Sequence, residues 1–287
     1  MKFFFDSANH RDIRDIWDKL KPLCDRSCVA GITTNPKAMA KIEAFKYNEW
    51  LNATKQLLGT LAEIRGDNKG TVFVQMPSSK MTPKEFLQFV AMFKRDIGKD
   101  ADVGQLGFKV PPYPLFLREV SDMAEDPKAL NLNVTGVADH CTALTCLDFP
   151  VRYVSIIPGR MNTAGIDADV SANYINVAGG NKSLDRVITG SMRDLAGLSS
   201  MIKFGTVPTI GTSMFNELIV TNKNNIKYFI NMWNTKNNNP QEIKVSPTIT
   251  TANQQLSRDF FVEMDTQCPD LVTFLLKWIG DVQIYEN

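Results

Sequence analysis

Eight short, β-rich apolar runs recur along the chain, and longer amphipathic segments separate them. They cover residues 2–6, 29–34, 71–76, 106–110, 130–135, 152–157, 186–191 and 206–211. A parallel strand can follow another only after a crossover long enough to hold a helix, so this alternation predicts βα units around a parallel sheet. Eight such units predict a closed (β/α)8 TIM barrel. The competing architecture, an open doubly wound sheet, would place a glycine-rich phosphate turn after the first strand; the turn here reads DSANH, with no GxGxxG pattern. In PKEFLQFVAMFKRDI, Phe86, Phe89, Val90, Phe93 and Ile97 share one helical stripe, which reads as core packing.

The barrel is expected to occupy residues 1–221, with residues 222–287 as a C-terminal region. SMFNELIV and NNIKYFINMWN read as helices after the eighth run. TKNNNPQEIKVSPTITTANQQ, rich in Asn, Thr, Pro and Gln, reads as a linker or extended arm. LVTFLLKWIGDVQIY is apolar again and is expected to pack on the barrel or on a neighbouring subunit.

With 32 Lys and Arg against 31 Asp and Glu, the chain has no charge excess to draw nucleic acid or an anionic membrane, which leaves a small-molecule partner as the expectation. The five cysteines form no CxxC pair and only His10 and His140 could join them, so neither a disulfide scaffold nor a zinc site is expected. Three apolar residues follow Lys2 before Asp6 interrupts, too few for a signal peptide, and no apolar run reaches the roughly 18 residues of a membrane helix. A reduced, soluble, cytoplasmic protein is the expectation.

In such a barrel the chemistry collects at the C-terminal ends of the strands and in the loops that follow. The polar residues predicted there are Asp6, Thr33, Thr34, Asn35, Gln75, Lys109, Asn133, Thr135, Ser155, Arg160, Ser191 and Arg193. Lys109 sits in VGQLGFKVPP, an otherwise apolar stretch. An exposed lysine, with a pKa of about 10.4, is nucleophilic in roughly one molecule in a few thousand at neutral pH. Burial, with Arg160 and Arg193 nearby, would lower that pKa and make a Schiff base accessible. The other reading is a lysine that snorkels from a strand end into solvent.

Asp6 could exchange protons with a substrate hydroxyl as carbon–carbon bonds break, or simply favour the dipole of the first helix. TTNP is a good helix start, with Asn35 as cap and Pro36 in the first turn, and the same carboxamide could instead hold a sugar hydroxyl. Ser191 lies three residues before Asp194, at capping-box spacing, which would place Arg193 in a first helical turn. An arginine there makes an anion site, in the region where barrels often hold phosphate, and Arg160 could supply a second charge. A phosphorylated substrate follows.

Taken in order, KFFFDSAN, GITTNP, GFKVP, LNVTGV, YVSIIPGRMNTAGIDA and GSMR resemble the motifs of the transaldolase family, in particular its short branch of small transaldolases and fructose-6-phosphate aldolases. The resemblance implies that Lys109 forms a Schiff base with a ketose phosphate and that Asp6 transfers protons. It implies that Thr135 and Gln75 position a catalytic water, and that Thr33, Asn35, Asn133 and Ser155 contact the substrate. Ser191 and Arg193, with Arg160, would hold the phosphate. The implied reaction belongs to the pentose phosphate pathway: a dihydroxyacetone unit passes from sedoheptulose 7-phosphate or fructose 6-phosphate to glyceraldehyde 3-phosphate or erythrose 4-phosphate. It needs no metal or organic cofactor, and a homo-oligomer is expected.

The chain departs from the family pattern at several positions. Gln75 stands where transaldolases usually carry Glu and matches the aldolase branch, whereas Ile157 stands near a Tyr that distinguishes the aldolases. Asn162 and Thr163 replace an acidic pair, and Pro112 replaces a Thr. Cleavage of fructose 6-phosphate by a lyase is the alternative activity, and a non-catalytic sugar-phosphate-binding barrel is a third.

Overall fold

Alternate residues of a strand point to opposite faces, so a closed ring of strands has one set of side chains in its bore and the other against its helices. The computed structural model, which describes residues 2–67, 70–98, 106–179, 187–190, 192, 194–221 and 251–267, has this architecture. Eight parallel strands close in sequence order: β1 (Phe3–Asp6), β2 (Val29–Thr33), β3 (Thr71–Gln75), β4 (Leu106–Val110), β5 (Leu132–Val137), β6 (Tyr153–Ile156), β7 (Val187–Thr189) and β8 (Val207–Gly211), with β8 paired back to β1. The fold is a (β/α)8 TIM barrel.

The helices around it are α1 (His10–Leu20), α2 (Pro36–Ala40), α3 (Tyr47–Arg65), α4 (Pro83–Ile97), α5 (Pro114–Met123), α6 (His140–Leu147), α7 (Pro158–Thr163), α8 (Ala168–Gly179), α9 (Leu195–Lys203) and α10 (Thr212–Thr221). A further helix, α11 (Thr251–Asp265), follows beyond the barrel. Local signals set many of the boundaries. Thr82 and Glu85 form a reciprocal capping box at the start of α4, with Pro83 in its first turn. The stripe Phe86, Phe89, Val90, Phe93 and Ile97 is buried.

Three sequence expectations are corrected. β5 begins at Leu132 rather than at residue 130, because Pro127–Leu130 forms a 3₁₀ turn and Asn131 adopts a left-handed backbone at φ 49°. α9 is capped by Asp194, whose carboxylate accepts from the Gly197 amide at 2.7 Å, so Asp194 does not close a capping box opened by Ser191. Residues 251–255 of the polar stretch are helical and open α11, in which Ser257, Phe260, Phe261 and Met264 repeat every three to four residues as a buried face. NNIKYFINMWN and LVTFLLKWIGDVQIY lie outside the described residues.

The bore is built in layers. Near the N-terminal ends of the strands, the rings of Phe4, Phe73 and Tyr153 meet with centroids 5.4 to 5.8 Å apart. Glycine makes room for them: a Cβ on Gly107 would come within 2.5 Å of the Phe73 ring, and one on Gly31 within 2.8 Å of Phe4. Two residues further along the same strands the character changes. Asp6 follows Phe4, Gln75 follows Phe73, Lys109 follows Gly107, and Ser155 follows Tyr153. Among the described residues, no helix is long and apolar enough to cross a membrane.

Candidate active site

Lys109 is placed by β4, between register partners Gln75 on β3 and Asn133 on β5. It is 7% exposed, and its Nζ donates to the Thr34 carbonyl oxygen at 3.2 Å. Burial pushes the amine below the ordinary lysine pKa, while the negative charge of Asp6 pulls it partly back. Of the causes expected from the sequence, burial supplies the depression, and Arg160 is not among its sources.

Asp6 ends β1, and its carboxylate accepts from the Thr33 hydroxyl at 3.4 Å. Burial raises its pKa, opposed by the charge of Lys109, the Thr33 hydrogen bond and the charge of Lys41. The two groups are displaced in opposite directions by a shared loss of water, which favours the neutral form of each. Such a pair can add an amine to a carbonyl and move a proton at the same centre.

Around the pair, the Ser155 hydroxyl donates to the Asn133 side-chain oxygen at 2.7 Å. The Asn133 amide nitrogen and both polar atoms of Gln75 are buried without a protein partner among the described residues. Each such group costs about 1–3 kcal/mol of stability when left unsatisfied. This layer is arranged for something other than packing.

The mouth holds a cavity of about 420 Å³. Of the residues expected at the site, it brings together Asp6, Thr33, Asn35, Lys109, Asn133, Thr135, Ser155 and Arg160. Gln75 lies beside Lys109 but does not line the cavity. Asn35 caps α2, its oxygen accepting from the Ala38 amide at 2.9 Å. Ser191 and Arg193 lie outside the described residues. A larger cleft, about 710 Å³ among α7, α8 and α9, carries Asp167, Asp169 and Asp194 and, among the described residues, no lysine, cysteine or histidine.

Several mouth residues were not foreseen. Lys37 and Lys41 line the cavity one helical turn apart, at the i,i+4 spacing that TTNPKAMAK already contains. Phe260, Glu263 and Met264 reach it from α11, and no local signal marked them. α11 is seated over β5, where the Ser257 hydroxyl donates to the Gly136 carbonyl at 2.6 Å. Gly136 has φ 75°, and a Cβ there would lie 2.8 Å from the Phe261 ring. At the far end, the Asp265 carboxylate accepts from the Ser79 amide at 3.0 Å and hydroxyl at 2.7 Å.

Arg160 donates to Glu263 at 2.7 Å and lies over the Phe260 ring, 5.0 Å from its centroid. Lys37 donates to the other Glu263 oxygen at 3.1 Å. Burial disfavours the ionised Glu263, but the bonds from Arg160 and Lys37 outweigh it and hold its pKa below the usual range.

No protein-family model matches the chain. Curated relatives do. A probable transaldolase of Halalkalibacterium halodurans is 25% identical over 241 residues, covering 82% of this chain and all of the relative. A probable transaldolase of Thermodesulfovibrio yellowstonii is 25% identical over 221 residues, covering 76% of this chain and 90% of the relative. A probable fructose-6-phosphate aldolase of Streptococcus pneumoniae is 21% identical over 217 residues, covering 75% and 87%.

Over about three quarters or more of its length the chain is similar to these probable transaldolases and aldolases, which supports a transaldolase-family assignment. The transaldolase motifs of the sequence fall in this fold on β1, on the β2–α2 junction, on β4, on β5, on β6 and α7, and after β7. The described ones belong to one rim of the barrel, and the lysine of GFKVP, Lys109, is the buried amine among them.

Proposed function

We propose that the protein is a transaldolase that carries a dihydroxyacetone unit from a ketose phosphate, sedoheptulose 7-phosphate or fructose 6-phosphate, to glyceraldehyde 3-phosphate or erythrose 4-phosphate. One observation carries the reading: a lysine amine with its pKa depressed by burial stands in a polar cavity beside a carboxyl with its pKa raised by the same burial.

In this reading the Lys109 amine adds to the ketose carbonyl, and the resulting carbinolamine loses water to become a Schiff base. Asp6 takes the proton of the hydroxyl two carbons from the imine carbon. The adjoining carbon–carbon bond breaks, its electron pair passes into the iminium, and an aldose phosphate departs. The enamine left on Lys109 then attacks the aldehyde carbon of the acceptor, Asp6 returns its proton to the new hydroxyl, and water releases the product. Thr135 and Gln75 position the water for hydrolysis. Thr33, Asn35, Asn133 and Ser155 hold the hydroxyls of the bound chain. Arg160, with Ser191 and Arg193, receives the phosphate. Neither metal nor organic cofactor is required, and the reading includes a homo-oligomeric, cytoplasmic enzyme.

The second reading is a lyase that releases free dihydroxyacetone from fructose 6-phosphate. It is favoured by Gln75, an amide where a carboxylate would accompany the transferase, and one relative is named as a probable aldolase of this kind. Turnover of fructose 6-phosphate with and without erythrose 4-phosphate separates the two, since the transferase requires the acceptor. Borohydride reduction in the presence of fructose 6-phosphate should fix added mass on Lys109. Absence of the adduct would overturn both.

A further inference from the structure

Two cations face one another across the mouth, Lys37 from α2 and Arg160 from α7. A carboxylate bridges them, one oxygen to each, and it belongs to neither helix. Glu263 comes from α11, which lies outside the eight βα units. Its side chain is 35% exposed against 18% for Arg160, so that contact is partly withdrawn from water, where charged pairs are less screened, whereas Lys37 is 54% exposed and its contact is the more screened of the two. The arrangement is one that a phosphate also satisfies, with separate oxygens taking hydrogen bonds from a guanidinium and an ammonium. The Arg160 Nε remains without a protein partner among the described residues, so the guanidinium has a donor to spare.

We propose that the Glu263 carboxylate is a built-in competitor for the phosphate group of the substrate, and therefore a specificity-determining residue that weakens binding of phosphorylated ligands relative to unphosphorylated ones. The inference rests on the ketose-phosphate reading above for its biological meaning, but it concerns the anion position alone.

The physical reasoning is one of exchange. A ligand with no charge at this end leaves the Arg160–Glu263–Lys37 bridge intact and gains nothing from the two cations. A phosphate, carrying a charge of about −1.5 to −2 near neutral pH, outcompetes a single carboxylate for the same donors but must first displace it. The affinity seen is then the intrinsic affinity reduced by the stability of the internal bridge. Glu263 sits on α11, which is held independently by Ser257 on Gly136 and by Asp265 on Ser79. The carboxylate can therefore swing aside while the helix stays seated.

Inorganic phosphate is the probe, titrated calorimetrically into the full-length protein and into Glu263→Gln and Glu263→Asp, each checked for an unfolding midpoint close to the parent. Removal of the charge in Glu263→Gln should tighten phosphate binding by about tenfold. Glu263→Asp draws the carboxylate back by one methylene and should tighten it by less. In the Glu263→Gln background, Arg160→Gln should abolish the gain.

Phosphate binding that is unchanged or weaker in both variants would overturn the proposal, as would a gain that survives loss of Arg160. Should Glu263→Gln fail to fold, Glu263→Asp alone decides by the same criterion. Borohydride trapping of dihydroxyacetone on Lys109, which engages no phosphate, tests the Schiff-base reading separately. A parent that traps nothing, with a Glu263→Gln variant that binds phosphate more tightly, would remove the reaction and leave this inference standing.

Discussion

The lower and upper halves of the bore are made by the same strands and obey opposite rules. Below, Phe4, Phe73 and Tyr153 fill the space with ring contacts, and Gly31 and Gly107 are small where a ring must pass. Above, displaced by two residues on each strand, Asp6, Gln75, Lys109, Asn133 and Ser155 are buried or nearly so, and several of their polar atoms have no protein partner among the described residues. One layer is stable because its groups want to be there. The other is held in place against their preference by the strands that the first layer fixes, which is how a rigid scaffold carries a reactive group.

That contrast is broken most severely at Lys109. Lys109→Met should abolish the borohydride adduct and lower turnover by at least roughly 10⁴-fold, as loss of a covalent nucleophile does. It should also raise stability at neutral pH. The folded-state pKa of Lys109 lies below the reference 10.5, so between the two values the unfolded chain binds more protons and stability rises with pH. Below both values the full cost of the buried charge is present, and methionine removes it. Denaturant unfolding of parent and variant at neutral and alkaline pH checks both points. A variant less stable than the parent at neutral pH would mean that the lysine contributes to packing.

Phe73→Ala should do the reverse: a loss of about 3–5 kcal/mol in unfolding free energy, as for large-to-small changes in a core, with Lys109 still trapped by borohydride in the folded protein. Gln75→Met, similar in volume and without polar atoms, should gain roughly 1 kcal/mol while slowing turnover by about 10- to 100-fold. A stability loss there would show that Gln75 belongs with the lower layer.

The smallest effect is expected from Asp6→Asn on the acid limb of the stability profile. The folded-state pKa of Asp6 lies above 3.8, so in the window just above that value the folded protein binds more protons and stability falls as pH rises. Asparagine should flatten that segment, which denaturant midpoints across the mildly acid range would register.

Much of this was legible in the sequence, for an identifiable reason. Strand β4 runs over the residues its apolar pattern marked, and the mouth residues Asp6, Thr33, Lys109 and Ser155 followed from counting to strand ends. Alternation and strand-end position are local properties. β5 was misplaced because Leu130 continues an apolar run although Asp126 and Asn131 build a turn beneath it. Asp194 was misread because a carboxylate can open a helix as well as close a capping box. The role of Glu263 was not legible at all, since its partners Arg160 and Lys37 lie 103 and 226 residues away and α11 follows a stretch whose composition reads as linker. Long-range electrostatic pairing leaves no mark in a window of sequence.

The position of α11 in the chain has a consequence for synthesis. β8 ends at Gly211 and α11 begins at Thr251, so every strand of the barrel has left the ribosome before Glu263 is made. Arg160 and Lys37 are thus in place well before the carboxylate that bridges them in the finished chain.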